Sequence, residues 1–219
     1  MDFLQFLSWA CIVFTILMFS SGLTDLKKMR EARSSDNIQF LPFLTTLLNN
    51  LGWLYYGVLK KDGTLIIVNS IGAVLQALYV LTYYHYSSGK WRVCRQTLAA
   101  GLLLAAGWLY FGVVLAQGEQ KLARLGLACS IFTVTMYVSP LIDLLEIMRS
   151  GSVERLSFPL TVATFLTSSS WTLYGLQLQD YYIMVPNTPG IITSLVRFLL
   201  FWTFSTTSSV KPSYKLLPL

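Results

Sequence analysis

The fold of this chain is decided by two similar stretches of sequence, LSWACIVFTILMFSSGLTDL at residues 7–26 and LGLACSIFTVTMYVSPLIDL at residues 125–144. They lie 118 positions apart and are identical at ten of twenty positions. The same offset pairs further residues along the chain: Trp53/Trp171, Tyr56/Tyr174, Gly57/Gly175, Asp62/Asp180, Asn69/Asn187 and Gly72/Gly190. Chance similarity between apolar segments does not reproduce Trp, Asp and Asn at one offset, so the sequence indicates an internal duplication.

The composition indicates an integral membrane protein. Hydrophobic residues make up 54% of the 219 residues, and only 12% are charged, whereas a soluble domain has roughly 25% charged residues. Because so few charges cannot cover a water-facing surface of this size, lipid is expected to cover the rest. The net charge of +6 does not indicate a nucleic-acid partner, because the basic residues lie in short loops where they orient helices.

Seven segments have the length of about 20 mostly apolar residues that a membrane-spanning helix needs. They are 3–24, 40–59, 64–86, 97–117, 122–144, 157–178 and 182–203. One set of alternate loops, with the tail, carries eleven basic residues, and the other carries four. Since cytosolic loops carry the excess of Lys and Arg, the C-terminus is predicted to be cytosolic and the N-terminus extracellular or lumenal. The polar cytosolic tail at 205–219 is predicted to be disordered.

The duplication divides these segments into a first three-helix unit at 3–86, a linker helix at 97–117 and a second three-helix unit at 122–203. Three helices reverse the direction of the chain, and the linker restores it, so both units insert with the same orientation. The linker is rich in alanine and glycine, which suits close packing between helices. The predicted fold class is an all-α integral membrane protein in which a linker helix joins two parallel three-helix bundles.

Two tryptophans and two asparagines are the candidate binding residues. Trp53 and Asn69 lie seven to nine residues from the turn at 61–62, which places them roughly 11–13 Å from the end of their helices and near the midplane of a core about 30 Å thick. Trp171 and Asn187 occupy the matching places in the second unit. Asparagine amides can bond sugar hydroxyls, and an indole face suits the C–H side of a sugar ring. The alternative roles are hydrogen bonding between helices for the asparagines and anchoring at the membrane interface for the tryptophans, but duplication at matched depth favours a pocket.

Prolines and one glycine within the apolar segments are candidate hinges. A proline frees a backbone carbonyl and kinks a helix, and Pro42, Pro140 and Pro159 lie within predicted spans. Gly22 stands at the position that matches Pro140. Such kinks serve either alternating access or packing, and the sequence leaves both readings open.

Polar residues near the two hairpin turns are candidate gate residues. Asp62 and Asp180 begin the third helix of each unit, where an aspartate caps the helix. Tyr56 and Tyr174 are predicted to lie close to these aspartates across each hairpin and to form polar latches on the outer side.

Signatures of catalysis and of ion coupling are missing from the sequence. It contains no HExxH, GxSxG, Walker A or CxxC motif, so we expect neither catalytic residues, a metal site nor a cofactor. No Asp or Glu lies in the middle of a predicted span, where coupled carriers usually place a carboxylate. Passive transport is therefore favoured, although backbone carbonyls can bind Na⁺.

Three motifs mark the chain: QFLP at residues 39–42, MYVSPL at residues 136–141, and the pair Trp53…Asn69, which recurs in the second half as Trp171…Asn187. With the three-plus-one-plus-three plan, they resemble the SWEET family of sugar uniporters, most closely its animal members. The resemblance covers the chain to about residue 205. Gly22 in place of a proline and the bulky Trp53 depart from the pattern common in plant members.

The resemblance implies bidirectional, uncoupled transport of mono- or disaccharides such as glucose by alternating access. It implies a central pocket formed by the two asparagines and two tryptophans, gating prolines, and an outer gate near Tyr56, Tyr174 and Asp180. It also implies homo-oligomers in the Golgi and plasma membranes.

Two rival classes fit the sequence less well. A seven-helix receptor does not contain such a repeat, and neither a DRY nor an NPxxY motif is present. A PQ-loop-like transporter or a cargo receptor of the same bundle type, with a non-sugar ligand, is the remaining alternative. The dipeptide Pro-Gln does not occur, and the predicted cavity is neutral, whereas a cargo receptor would expose charged residues there.

Overall fold

The computed structural model describes residues 2–115, 118–150, 153 and 156–208, and these residues form helices and short connections without a strand. Helices are expected because lipid cannot bond the polar groups of the backbone. The α-helices are α1 (Phe3–Ser20), α2 (Gly22–Ala32), α3 (Leu41–Lys60), α4 (Gly63–Tyr86), α5 (Lys90–Leu109), α6 (Glu119–Met136), α7 (Val138–Ser150), α8 (Phe158–Gln177) and α9 (Tyr181–Ser208).

Two of the predicted spans are interrupted helices. The first consists of α1 and α2, which meet at Ser21, and the fifth consists of α6 and α7, which meet at Tyr137. The linker span consists of α5 and a π-helical turn at Tyr110–Val114. The nine α-helices of the described chain thus make seven spans, and the fold class predicted from the sequence is confirmed.

Each unit contains a tight hairpin that is built in the same way. Lys61 between α3 and α4 and Gln179 between α8 and α9 have left-handed backbone angles, with φ of 59° and 55°. Gly57 and Gly175 let the paired helices approach closely, since a Cβ would lie 2.7 Å from the Leu65 Cβ in the first hairpin and 2.7 Å from a backbone nitrogen in the second. We call the end of the bundle with these two turns the outer end, and the opposite end the inner end.

Six helices form a closed ring. The neighbours around it are α1, α4, α3, α6, α9 and α8, and α8 contacts α1 again. In each unit the third helix therefore packs between the first and the second, and the first helix of one unit packs against the second helix of the other. Such a ring around a repeat axis leaves its centre available for a shared cavity.

The helices differ in how apolar they are. Among the residues that the structure describes, five helical stretches have the length and hydropathy of a membrane span, namely Phe3–Ala32, Gly63–Tyr86, Lys90–Val114, Glu119–Arg149 and Tyr181–Phe204. The remaining two spans, α3 and α8, carry several Thr, Ser and Asn residues. These less apolar helices occupy equivalent places in the two units, and their polar residues are directed partly towards the centre of the ring.

The structure corrects the prediction of kinks at two prolines. Pro42 and Pro159 lie in the first turn of α3 and α8, where a proline breaks no helical hydrogen bond. They begin helices at the inner end rather than bending them. The linker helix begins at Lys90, seven residues before the predicted position, and α9 continues to Ser208, into the predicted tail; residues 209–219 of that tail lie outside the described residues.

Candidate functional site

The two predicted tryptophans join the two units at the centre of the ring. The Trp53 indole N–H donates to Thr133 Oγ1 at 2.9 Å, and the Trp171 indole N–H donates to Thr15 Oγ1 at 2.9 Å. Each bond runs from the second helix of one unit to the first helix of the other, so the two bonds are equivalent under the repeat. Both indoles are 7% exposed. Because each N–H is already bonded within the protein, a ligand would meet the apolar faces of these rings.

The two predicted asparagines also have equivalent environments. The Asn69 Nδ2 donates to the Leu65 carbonyl at 2.8 Å, and the Asn187 Nδ2 donates to the Ile183 carbonyl at 2.7 Å. Each side chain bonds back to its own helix, which fixes its orientation. The second N–H and the carbonyl oxygen of each amide make no other hydrogen bond among the described residues, so each amide retains one donor and an acceptor.

One cavity of about 290 Å³ brings all four residues together. Trp53, Trp171, Asn69 and Asn187 all line it. From the indoles the cavity extends towards the inner end, where its wall includes Thr46, Met136, Pro140 and Thr164. No charged residue lines it among the described residues, so the site suits a neutral ligand with hydroxyl groups.

Further polar residues of the cavity wall were not singled out from the sequence. Asn50 is 2% exposed, and its Nδ2 has no partner among the described residues; the same is true of Thr167 Oγ1. Asn49 Oδ1 accepts from Thr133 Oγ1 at 2.8 Å. A signal was available for the two threonines that hold the indoles, because Thr15 and Thr133 are among the ten identical positions of the repeat. The sequence contains no such signal for Asn50, because its repeat equivalent is a serine.

Two equivalent hydrogen bonds join the two units on the outer side of the cavity. Tyr56 donates to Asp180 at 2.8 Å, and Tyr174 donates to Asp62 at 3.0 Å. Each tyrosine thus binds the aspartate of the other unit, whereas the sequence placed it beside the aspartate of its own hairpin, and that pairing is wrong. The reason is the ring order, which brings the outer ends of the two hairpins together across the axis. We call these four residues the outer latch.

The aspartates of the outer latch are held by their own helices. Asp62 accepts from the Leu65 N–H at 3.0 Å, and Asp180 accepts from the Tyr182 N–H at 3.0 Å. The capping role predicted from the sequence is therefore confirmed. Because a bonded cap keeps the carboxylate in one orientation, each tyrosine meets a fixed partner.

The outer latch is not fully symmetric. Lys60 forms an ion pair with Asp180, in which the lysine side chain is 24% exposed and that of Asp180 is 3% exposed. The repeat equivalent of Lys60 is Leu178, so the Asp62 half has no such pair. Its additional contact is Thr64 Oγ1, which bonds to Tyr174 at 3.0 Å and to Ser8 Oγ at 2.7 Å.

The inner half contains the two helix breaks, which lie within two residues of equivalent positions but have different causes. Pro140 follows the break at Tyr137 and lines the cavity. At Gly22 there is no proline; instead a Cβ would lie 2.4 Å from the Tyr79 ring, and the Tyr79 hydroxyl donates to the Phe19 carbonyl at 3.0 Å. A glycine is required there because the tyrosine packs against the break.

Comparison with known proteins agrees with this geometry. A sequence profile described as a sugar efflux transporter for intercellular exchange matches the chain twice, over residues 5–90 and 123–209. The chain belongs to the SWEET family of sugar transporters. A SWEET protein from Danio rerio named Sugar transporter SWEET1 is 66% identical over 99% of both chains. The Homo sapiens protein of that name is 56% identical over 89% of this chain and 88% of its own.

A solved SWEET structure has the same fold. The structure of a eukaryotic SWEET transporter, at 3.7 Å resolution, superimposes with a TM-score of 0.86 at 29% identity and covers 93% of this chain and 97% of its own. As a SWEET protein, the chain is a membrane protein that transports sugar and is not an enzyme. This membership also favours a transporter over the cargo-receptor alternative.

Proposed function

We propose that this chain is a passive uniporter that carries glucose-like sugars in both directions through the central cavity. The observation that carries the proposal is the duplicated arrangement of one indole face and one partly unbonded amide on each side of a neutral cavity. A sugar ring has apolar C–H faces and a rim of hydroxyls. The indoles offer an apolar surface to the C–H faces, and the amides offer hydrogen bonds to the hydroxyls.

The size of the cavity supports a small substrate. Pockets for drug-sized ligands have volumes of about 300–1,000 Å³, and this cavity has about 290 Å³. Among mono- and disaccharides we therefore favour a monosaccharide. The bulky indole of Trp53, which is matched by Trp171 on the opposite side, restricts the space further.

The closed outer latch supports transport by alternating access. The cavity lies on the inner side of Tyr56 and Tyr174, and its wall continues to inner-end residues. We take this arrangement as the inward-facing state, in which sugar exchanges with the inner side. Opening the outer latch and closing the inner half, with the breaks at Gly22 and Pro140 as hinges, would give the outward-facing state.

The absence of a central carboxylate supports uncoupled transport. Among the described residues of the cavity wall there is no Asp, Glu, Lys or Arg, so none of them offers a site at which a proton would be taken up with the sugar. The distribution of basic residues places the inner end in the cytosol. We propose the Golgi and plasma membranes as its location and a homo-oligomer as its assembly, both from the family resemblance.

Uptake into proteoliposomes tests the uniport mechanism. Purified protein is reconstituted, and the entry of radiolabelled glucose is followed without a gradient, with an imposed proton gradient and with an imposed sodium gradient. We expect the internal concentration to reach the external concentration in all three conditions. Accumulation above the external concentration under either gradient would refute uniport, and sucrose uptake at the rate of glucose would refute the preference for monosaccharides.

A further inference from the structure

A second cavity, of about 370 Å³, lies on the lipid-facing side of the bundle between α3, α5 and α6. Its wall consists largely of leucines and aromatic rings, and no charged residue contributes to it among the described residues. Trp108 of its wall is 64% exposed, so the cavity opens towards the surrounding lipid. An occupant must therefore be largely apolar and must come from the membrane.

The cavity lies at the depth of the outer leaflet. Tyr55 is five residues and Leu48 twelve residues from the outer end of α3 at Lys60. At about 1.5 Å per residue they lie roughly 8 and 18 Å below that end, and half of the apolar core is about 15 Å thick. The cavity thus reaches from the region below the outer interface to the midplane.

The walls of the cavity favour a flat ligand. Gly52 of α3 and Gly107 of α5 both contribute to the wall. A Cβ added at Gly107 would meet no atom within 4 Å, so open space lies over this glycine. Tyr55, Trp108 and Phe111 add aromatic faces. A Cβ at Gly52 would lie 3.2 Å from the Cys129 sulfur, so this glycine packs against α6. The open backbone surface at Gly107, together with the aromatic faces, suits a rigid fused-ring system.

A polar group stands at the outer end of this apolar wall. The Tyr55 hydroxyl makes no hydrogen bond among the described residues. The sequence Leu51…Tyr55…Lys60 also follows the pattern of an aliphatic residue, a tyrosine and a basic residue with up to about five residues between them, which has been suggested for cholesterol contact. That pattern is weak by itself, but here Leu51 and Tyr55 both line a cavity.

We propose that this cavity between α3, α5 and α6 binds a membrane sterol such as cholesterol. The ring system packs against the glycine and aromatic surfaces, and the sterol hydroxyl bonds to the Tyr55 hydroxyl below the outer interface. A phospholipid acyl chain could enter the same space, but as a flexible chain it would lose more conformational freedom on binding than a rigid sterol does.

Photolabelling of the full chain tests the proposal. The protein is reconstituted in phosphatidylcholine vesicles with a cholesterol analogue that carries a diazirine on its ring system, and labelled peptides are identified by mass spectrometry. We expect labels in α3, α5 or α6 that excess cholesterol removes. Epicholesterol, whose hydroxyl has the opposite orientation, should compete less well, whereas oleate should not compete.

A matched pair of variants locates the site. Gly107→Leu fills the cavity, and Gly101→Leu places the same side chain on the same helix, where a Cβ also meets no atom within 4 Å and where no part of this cavity lies. We expect Gly107→Leu to reduce specific labelling by about tenfold, equivalent to about 1.4 kcal/mol, and Gly101→Leu to leave it unchanged. Gel filtration and thermal melting show whether both variants are assembled.

Each of the other outcomes overturns the proposal. Labels elsewhere in the chain, or an equal reduction in the two leucine variants, would show that this cavity does not bind the sterol. Complete competition by oleate would identify an acyl-chain site. If Gly107→Leu does not assemble, the wild-type competition decides: equal competition by cholesterol and epicholesterol would refute a site that binds the sterol hydroxyl.

Discussion

Replacement of Asn187 by alanine tests the central site most directly. The wild-type amide donates one N–H to the Ile183 carbonyl at 2.7 Å. Its second N–H and its carbonyl oxygen have no partner among the described residues, and the side chain lines the cavity. Two hydrogen bonds to sugar hydroxyls at about 0.5–1.5 kcal/mol each amount to about 1–3 kcal/mol. Such a loss corresponds to about a 5- to 150-fold weaker interaction with the sugar.

The structural cost of the same substitution is expected to be small. The Ile183 carbonyl remains within the hydrogen-bonded turn of α9 after the side chain is removed, so no buried group is left unbonded within the helix. Hydrogen bonds between membrane helices contribute about 0.6 kcal/mol on average. Asn187→Ala should therefore assemble, melt within a few degrees of the wild type, and lose most glucose uptake at subsaturating sugar.

Ser194→Ala is the matched control. Ser194 is also on α9 and fully buried, and its hydroxyl donates to the Gly190 carbonyl at 2.7 Å, but it does not line the cavity. The Ser194→Ala substitution therefore removes a side-chain hydrogen bond to the preceding turn, as Asn187→Ala does, without removing a proposed sugar contact. Uptake and melting are measured on both variants in parallel. An assembled Asn187→Ala that carries glucose at the wild-type rate would refute the assignment, and so would an equal loss of uptake in Ser194→Ala.

Two further pairs of substitutions use the repeat as an internal control. Thr15→Val and Thr133→Val each leave an indole N–H without its partner, and the loss costs about 1–3 kcal/mol where the N–H is buried. Both substitutions should therefore lower the melting temperature, and an unchanged melting temperature in either variant would contradict the bonding described above. Asp180→Asn removes the Lys60 ion pair and weakens the outer latch more than Asp62→Asn. It should therefore populate the outward-facing state more and lower the half-saturating concentration of external glucose more, and an unchanged value in both variants would count against the latch.

Most of the fold could be predicted from the sequence because a membrane imposes few choices. A segment of about 20 apolar residues must be a helix, and the 118-residue offset fixes which helices are equivalent. The breaks at Ser21 and Tyr137 were less accessible, because only the second is followed by a proline. Packing of Tyr79 against Gly22 is a contact between residues that are far apart in the sequence, so no local sequence pattern predicts it.

The candidate site was predictable to the extent that its residues are duplicated. Asn69, Asn187, Trp53 and Trp171 could be found because amide and indole side chains recur at matched depth, and they do line one cavity. Their bonding partners depend on the ring order of the helices. That order brings the second helix of one unit against the first helix of the other, so the hydrogen bonds of the indoles cross between units. For the same reason, Tyr56 and Tyr174 each bond to the aspartate of the other unit rather than to that of their own hairpin.

A parallel repeat has a consequence for how such a site opens. Because the axis that relates the units runs along the membrane normal, each contact at one end of the bundle occurs twice at that same end. Tyr56–Asp180 and Tyr174–Asp62 are such a pair, and in the transport cycle that we propose both separate before sugar passes. The two halves of the outer latch have equivalent tyrosine–aspartate bonds, but only the Asp180 half also contains an ion pair, which Lys60 forms. That inequality is why the two aspartate substitutions are expected to differ, although their hydrogen bonds are nearly the same length.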